Sequence, residues 1–144
     1  ISFLVIVIDQ LSKHWAIHQL NNGKSIPFIP YLLQLRLVEN RGAAFSLFSG
    51  ATTGLALLSL IVSIGIILWI WSNKSVSIWK GTSIALLLGG SVGNGLDRWR
   101  LGHVNDFLEL IPIDFPIFNV ADLAINIAVL CLAIDTLKRG NASK

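Results

Sequence analysis

The chain has 144 residues, of which 53% are hydrophobic and 13% charged, and its mean hydropathy of +0.70 lies outside the range of ordinary soluble domains. A net charge of +3, with no clustering of basic residues among aromatics, excludes a nucleic-acid partner; in so apolar a chain it bears on orientation in a membrane. The single cysteine, Cys131, excludes a disulfide framework or thiolate metal site within the chain and reads as a small buried apolar side chain.

Four apolar runs approach the roughly 20 residues needed to cross a bilayer: 1–20, 53–71, 78–96 and 120–137. The chain starts inside the first run and without methionine, so a short preceding piece is expected. That run is read as a retained anchor and not a cleaved signal peptide, because Asp9 and Lys13 interrupt it and no small-residue cleavage site follows. Asp9 and Lys13 are four apart, on one helical face. A charge pair in a span is a functional candidate by default, with anchoring to another helix as the structural alternative. His14 and His18 share that spacing but lack the third ligand of a catalytic zinc site, so their expected role is structural and no metal is predicted.

The outer segment 21–50 contains Leu33-Gln34-Leu35-Arg36-Leu37, an alternation of period two that predicts a half-buried strand. Asn40-Arg41 then leads into Gly42-Ala43-Ala44-Phe45, small residues suited to close passage of another element. The third run carries Gly81, Gly89, Gly90, Gly93 and Gly95. Gly89 and Gly93 have the spacing that lets membrane helices approach closely, and Gly93-Asn94-Gly95 is expected to weaken the helix end before Asp97 and Arg98. In the second outer segment, 97–119, Val104 to Leu110 is a candidate partner strand, and Pro112 and Pro116 exclude a continuous helix onward. The tail 140–144 is expected to fray.

Lys74 and Lys80 lie between runs two and three, and Lys138, Arg139 and Lys144 follow run four, which assigns these regions to the cytoplasmic side. Lys24, Arg36, Arg41, Arg98 and Arg100 fall on the other side and weigh against that assignment. The acids separate more clearly: Glu39, Asp97, Asp106, Glu109, Asp114 and Asp122 lie in or beside the outer segments. Trp69, Trp71 and Trp79 flank the short link, and Trp15 and Trp99 stand near the opposite ends, as two interfacial belts would require. The predicted fold is an all-α polytopic membrane protein of four transmembrane helices, with a small β-sheet segment on the outer, extracytoplasmic face and one membrane-embedded domain over 1–144.

Asp106 and Asp122 are the leading chemical candidates, since a carboxylate beside hydrocarbon is costly. On one helix they would stand about 24 Å apart; with the chain broken between them they can meet at the same interface, at the ends of adjacent helices. Two converging carboxylates share a proton, so that one activates water while the other donates to a carbonyl. Asp122 also has a structural reading, as the acid three residues after the N-cap Asn119. No serine has a Gly-x-Ser-x-Gly setting, and no Walker-type loop is present. A proton- or ion-coupled transporter is the competing class, expected to distribute its acids through the membrane and to repeat its architecture. A polytopic scaffold is the third.

The blocks Asp9-Gln10-Leu11-Ser12-Lys13, Asn40 to Phe45, Gly93-Asn94 with Asp97-Arg98, Val104 with Asp106-Phe107, and Phe118-Asn119-Val120-Ala121-Asp122 occur in order in a four-span layout. Over nearly its whole length the chain resembles the bacterial lipoprotein signal peptidases, or signal peptidase II. That resemblance implies an intramembrane aspartic endopeptidase of the bacterial cytoplasmic (inner) membrane, with its site near the outer face. The implied substrate is a diacylglyceryl-modified prolipoprotein, cut just before the lipidated cysteine. It further implies Asp106 and Asp122 as the catalytic pair. Asp9, Lys13, Asn40, Gly90, Asn94, Asp97, Arg98, Asn119 and Ala121 are implied as positions that hold the pair or receive substrate. No metal or organic cofactor is implied; membrane lipid and a globomycin-type inhibitor are the other implied partners. Two residues depart from the family pattern: Asn105, which offers a hydrogen bond beside Asp106, and Gly95.

Overall fold

A computed structural model describes residues 1–20, 23–42, 50–73 and 75–142. Among these the order is α1 (Ser2–Gln19), β1 (Ser25–Ile29), β2 (Leu33–Asn40), α2 (Thr52–Ser72), α3 (Ile78–Leu101), β3 (Val104–Leu110) and α4 (Val120–Ala142). Ala43, Ala44, Phe45, Lys74 and Lys144 lie outside the described residues. Helix α3 packs against each of the other three helices.

Two of the four helices, Thr52–Ser72 and Val120–Gly140, are long and apolar enough to cross a membrane. Helices α1 and α3 are of comparable length, but their apolar character is diluted by charged and polar residues that they bury, Asp9 and Lys13 in one and Asn94 and Asp97 in the other. On α2, Leu57, Leu58, Ile61, Ile64, Ile67 and Leu68 are all exposed. A helix apolar on its open faces is matched to lipid rather than water.

Helix α3 continues through Asn94, Asp97 and Arg98 to Leu101, so the third run extends beyond its expected end at residue 96 and Gly93-Asn94-Gly95 does not interrupt it. Each helical glycine costs roughly 1 kcal/mol relative to alanine, and close packing offsets that cost here. A Cβ on Gly90 would stand 2.6 Å from both the Ala121 carbonyl and Ile125 Cγ1 of α4, while Gly89 and Gly93 abut Val5 and Asp9 of α1. The actual stop is Gly102, whose φ of 75° is the left-handed conformation that ends many helices. It turns the chain directly into β3. Of the tail expected to fray, residues 140–142 belong to α4, and residues 143–144 lie outside the described residues.

The sheet has the order β1-β2-β3 with antiparallel pairing throughout. The expected pairing of β2 with β3 is present, and β1 is a strand the period-two pattern did not reveal. Leu35 and Phe107 on its underside join Ala16 and Leu20 of α1 in a buried cluster. Burying a side chain the size of phenylalanine stabilises by about 2–3 kcal/mol, and this cluster seats the sheet on the C-terminal end of α1. After the prolines the chain doubles back: Phe107 and Leu108 donate to the Phe118 carbonyl at 3.0 and 2.8 Å, and Phe118 N–H donates to the Leu108 carbonyl at 3.0 Å. This clamp delivers Asn119 and the start of α4 beside β3.

The far end of the α3–α4 pair is pinned separately. Asp135, buried, accepts from the hydroxyl of Ser77, the N-cap of α3, and from Arg139 Nε at 2.9 Å. Lys80 and Lys138 lie over the rings of Trp69 and Trp79, at 4.7 and 4.8 Å.

Candidate active site

Asp106 is carried by β3 and not by a helix end, which corrects the expected placement; Asp122 lies in the first turn of α4. Both line one cavity of about 410 Å³, together with Asn94, Arg98, Val104 and Phe118. A second cleft of about 680 Å³ adjoins it on the polar side and shares Asn40 and Asp106.

Every oxygen of the pair is held by a donor. Asp106 Oδ1 accepts from Asn119 Nδ2 at 2.6 Å and Oδ2 from Asn40 Nδ2 at 2.9 Å. Asp122 Oδ1 accepts from Asn94 Nδ2 at 2.8 Å and Oδ2 from the Asn119 backbone N–H at 3.1 Å. The three amides cannot be reversed without loss, because each carbonyl oxygen is itself committed. Asn40 Oδ1 accepts from Gly42 N–H, Asn119 Oδ1 from Asp122 N–H, and Asn94 Oδ1 from both Lys13 Nζ and Asn119 Nδ2. Asn119 and Asp122 thereby form a reciprocal cap on α4. The structural reading of Asp122 as a capping acid is present, and the cap fixes the carboxylate in place.

Beneath the pair lies a buried charge cluster. Lys13 Nζ is 2.9 Å from Asp9 Oδ2 and 3.0 Å from Asp97 Oδ2, and all three side chains are at most 5% exposed. Asp9 Oδ1 accepts from Ala121 N–H at 2.9 Å, satisfying a free amide at the positive end of α4. Asp97 also accepts from the Asn105 backbone N–H at 3.3 Å, which ties β3 to α3. Arg98 donates to the Asn94 and Gly42 carbonyls and lies within electrostatic reach of Asp122, Asp106 and Asp97. Its Nε is buried without a partner among the described residues.

Burial pushes Asp106 up to about 6, and the charge of Asp122 pushes the same way; the hydrogen bonds from Asn40 and Asn119 and the charge of Lys13 oppose both. The ordinary carboxylate value is 3.8, so Asp106 holds its proton more tightly than a free carboxyl does.

Asp9, Lys13, Asn40, Asn94, Asp97, Arg98, Asp106, Asn119, Ala121 and Asp122 thus converge in one network, and Gly90 sets the distance between α3 and Ala121. Asn105 departs from expectation: it projects to the other face of β3 from Asp106, and its buried Nδ2 has no partner among the described residues. Gln10, to which the sequence assigns no role beyond its motif, joins the network: its Nε2 bridges Asp9, Asp97 and the Gly93 carbonyl. Asn126 also lines the cavity, and its spacing of four from Asp122 on an apolar helix is the signal for it in the sequence.

A family model described as signal peptidase (SPase) II matches residues 1–138. The chain belongs to the signal peptidase II family. It is 50% identical over 141 residues to the lipoprotein signal peptidase of Parasynechococcus marenigrum (strain WH8102), covering 98% of this chain and 89% of that one. To the lipoprotein signal peptidase of Synechococcus sp. (strain RCC307) it is 52% identical over 136 residues, covering 94% and 90%. A solved bacterial membrane enzyme structure, obtained by the in meso method at 2.3 Å resolution, is similar with a TM-score of 0.92 at 30% identity, covering 99% of this chain and 88% of that one. A second, at 1.9 Å resolution, has a TM-score of 0.85 at 31% identity, covering 95% and 90%. These likenesses make the protein a membrane peptidase.

Proposed function

We propose that this signal peptidase II is an aspartic endopeptidase with Asp106 and Asp122 as its catalytic pair. As a lipoprotein signal peptidase it removes signal peptides from prolipoproteins. The finer reading is that the substrate carries a diacylglyceryl group and is cut just before the lipidated cysteine. The observation that carries the aspartic reading is that both carboxylates face one cavity while amides of fixed orientation hold their other sides.

In the monoprotonated pair the charged carboxylate takes a proton from water as its oxygen attacks the scissile carbonyl carbon, and the neutral one donates to the carbonyl oxygen. Collapse of the tetrahedral species breaks the C–N bond. The proton taken from water then goes to the departing cysteine nitrogen, and a hydroxyl of the tetrahedral species returns a proton to the other carboxylate, which restores the monoprotonated pair. Asn40, Asn94 and Asn119 hold the pair, and Arg98, within electrostatic reach of both carboxylates, stabilises the charge that develops. Asp9, Lys13, Asp97 and Ala121 brace those residues, and Gly90 lets α4 approach.

All four helices cross the membrane in this reading, with one domain over residues 1–144. The buried polar residues of α1 and α3 face the bundle interior, where membrane proteins accommodate them. The site lies near the outer face of the cytoplasmic (inner) membrane. Acyl chains bring the scissile bond to the right depth, and a globomycin-type inhibitor occupies the same cavity. Transport is not favoured, because Asp9, Asp97, Asp106 and Asp122 gather in one network and are not distributed along the helices. The test is cleavage by the purified protein of a prolipoprotein with and without its diacylglyceryl group, followed by gel shift. Cleavage of the lipidated form alone is expected; cleavage of neither, with acid-dependent flux in vesicles, would overturn the assignment.

A further inference from the structure

Helix α4 carries a second polar side chain on the face of Asp122. Asn126 is one helical turn further along, about 6 Å deeper at roughly 1.5 Å per residue. It lines the same cavity as both aspartates. Unlike Asn40, Asn94 and Asn119, which spend their amides on the catalytic pair, it is exposed and its side chain has no hydrogen-bond partner among the described residues. The cavity also has an apolar lining, which includes Ile125, Phe115 and Ile117. In a membrane, an amide whose donor and acceptor are both unused beside such a lining is costly unless something in the cavity uses it.

The substrate supplies a matching need. To be hydrolysed, the chain around the scissile bond must leave its helix and lie extended in the cavity. Its freed N–H and C=O groups then need partners, because hydrocarbon offers none. Resting on the aspartic peptidase reading above, we propose that Asn126 binds the main chain of the signal peptide on the N-terminal side of the scissile bond, pairing with one peptide linkage. An extended chain advances about 3.3 Å per residue, so a group 6 Å below the pair meets the linkage about two residues before the cut. Asn126 is a substrate-binding residue that sets the register of the peptide and takes no part in proton transfer.

The experiment uses the full chain in lipid-containing micelles and synthetic diacylglyceryl peptides spanning the cleavage site. Wild type and Asn126→Leu are compared on the all-amide peptide and on peptides in which each of the three linkages before the scissile bond is replaced, one at a time, by an ester. An ester removes the N–H and weakens the carbonyl as an acceptor. Asn126→Leu is expected to lower kcat/KM by about 5–10-fold, the usual size of one neutral hydrogen bond, mainly through KM and with an unchanged unfolding midpoint. At one linkage, the second on this geometry, the ester lowers wild-type kcat/KM similarly and the Asn126→Leu variant loses nothing further.

Equal loss from Asn126→Leu on every peptide, or no loss on any, overturns the proposal. So does a loss that disappears only when the diacylglyceryl esters are replaced by ethers, which assigns the amide to the lipid. An inert wild type would instead bring down the peptidase reading itself, so the two failures are distinguishable.

Discussion

Replacement of Lys13 by methionine tests the structural base of the site. The ammonium is within 3.0 Å of a carboxylate oxygen of both Asp9 and Asp97, and it donates to Asn94 Oδ1 at 2.9 Å. The cluster carries one negative charge in the native protein; Lys13→Met leaves two, in a place where the carboxylate side chains are at most 5% exposed. Removing one partner of a buried ion pair costs about 3–5 kcal/mol, and a cation that serves two carboxylates belongs at the upper end. About 5 kcal/mol is more than three decades in the folding equilibrium. Denaturant unfolding in mixed micelles measures it. Asp97→Asn added to Lys13→Met leaves only one unpaired carboxylate, so the double variant is expected to be more stable than the sum of the two singles by about 1–3 kcal/mol. A Lys13→Met protein within about 1 kcal/mol of wild type, or strict additivity in the cycle, would refute the reasoning.

The titration of Asp106, followed by carboxyl ¹³C chemical shift, is expected to have its midpoint at about 6; Asp122→Asn lowers it by removing a repelling charge, and Asn40→Ala raises it by removing a donor. Because the folded value is raised above the ordinary 3.8, the stabilising contribution of this group is fully present below 3.8 and is lost as pH rises through about 6. Gly90→Ala drives a Cβ to 2.6 Å from the Ala121 carbonyl. It is expected to cost about 1–3 kcal/mol in an unfolding assay and to lower kcat at least 10-fold, since displacement of Ala121 displaces Asp122. Gly102→Ala has open space for its Cβ but a φ of 75°, and should cost about 1–2 kcal/mol with kcat nearly unchanged.

Much of the site was legible in the sequence because a charge in an apolar run has few explanations. Asp9, Lys13, Asp106 and Asp122 stood out on that ground, and Asn119 through its spacing from Asp122. Periodicity found β2 through the alternation at Leu33 to Leu37, but missed β1. Its residues, Ser25 to Ile29, are all exposed, so no alternation of burial marks the strand. The glycines of α3 show tertiary packing overriding local propensity: Gly93-Asn94-Gly95 weakens an isolated helix, whereas here a Cβ on Gly93 would meet Asp9 Oδ2 at 2.7 Å and one on Gly95 would meet Ser59 Cβ at 3.1 Å. The contacts of Gln10 were hidden because an uncharged amide in a polar-flanked run carries little signal until its neighbours are known. The direction in which the asparagine amides point depends on Gly42, Lys13 and Asp122, whose positions only the fold supplies.

The most direct test of the central claim is single-turnover cleavage of a diacylglyceryl-modified prolipoprotein by Asp106→Asn and Asp122→Asn, each shown to be folded by its circular dichroism and unfolding midpoint. Loss of at least about 10³-fold in rate for each variant, with substrate binding retained, is the result expected of a catalytic pair. Cleavage within about 10-fold of wild type by either folded variant would contradict it.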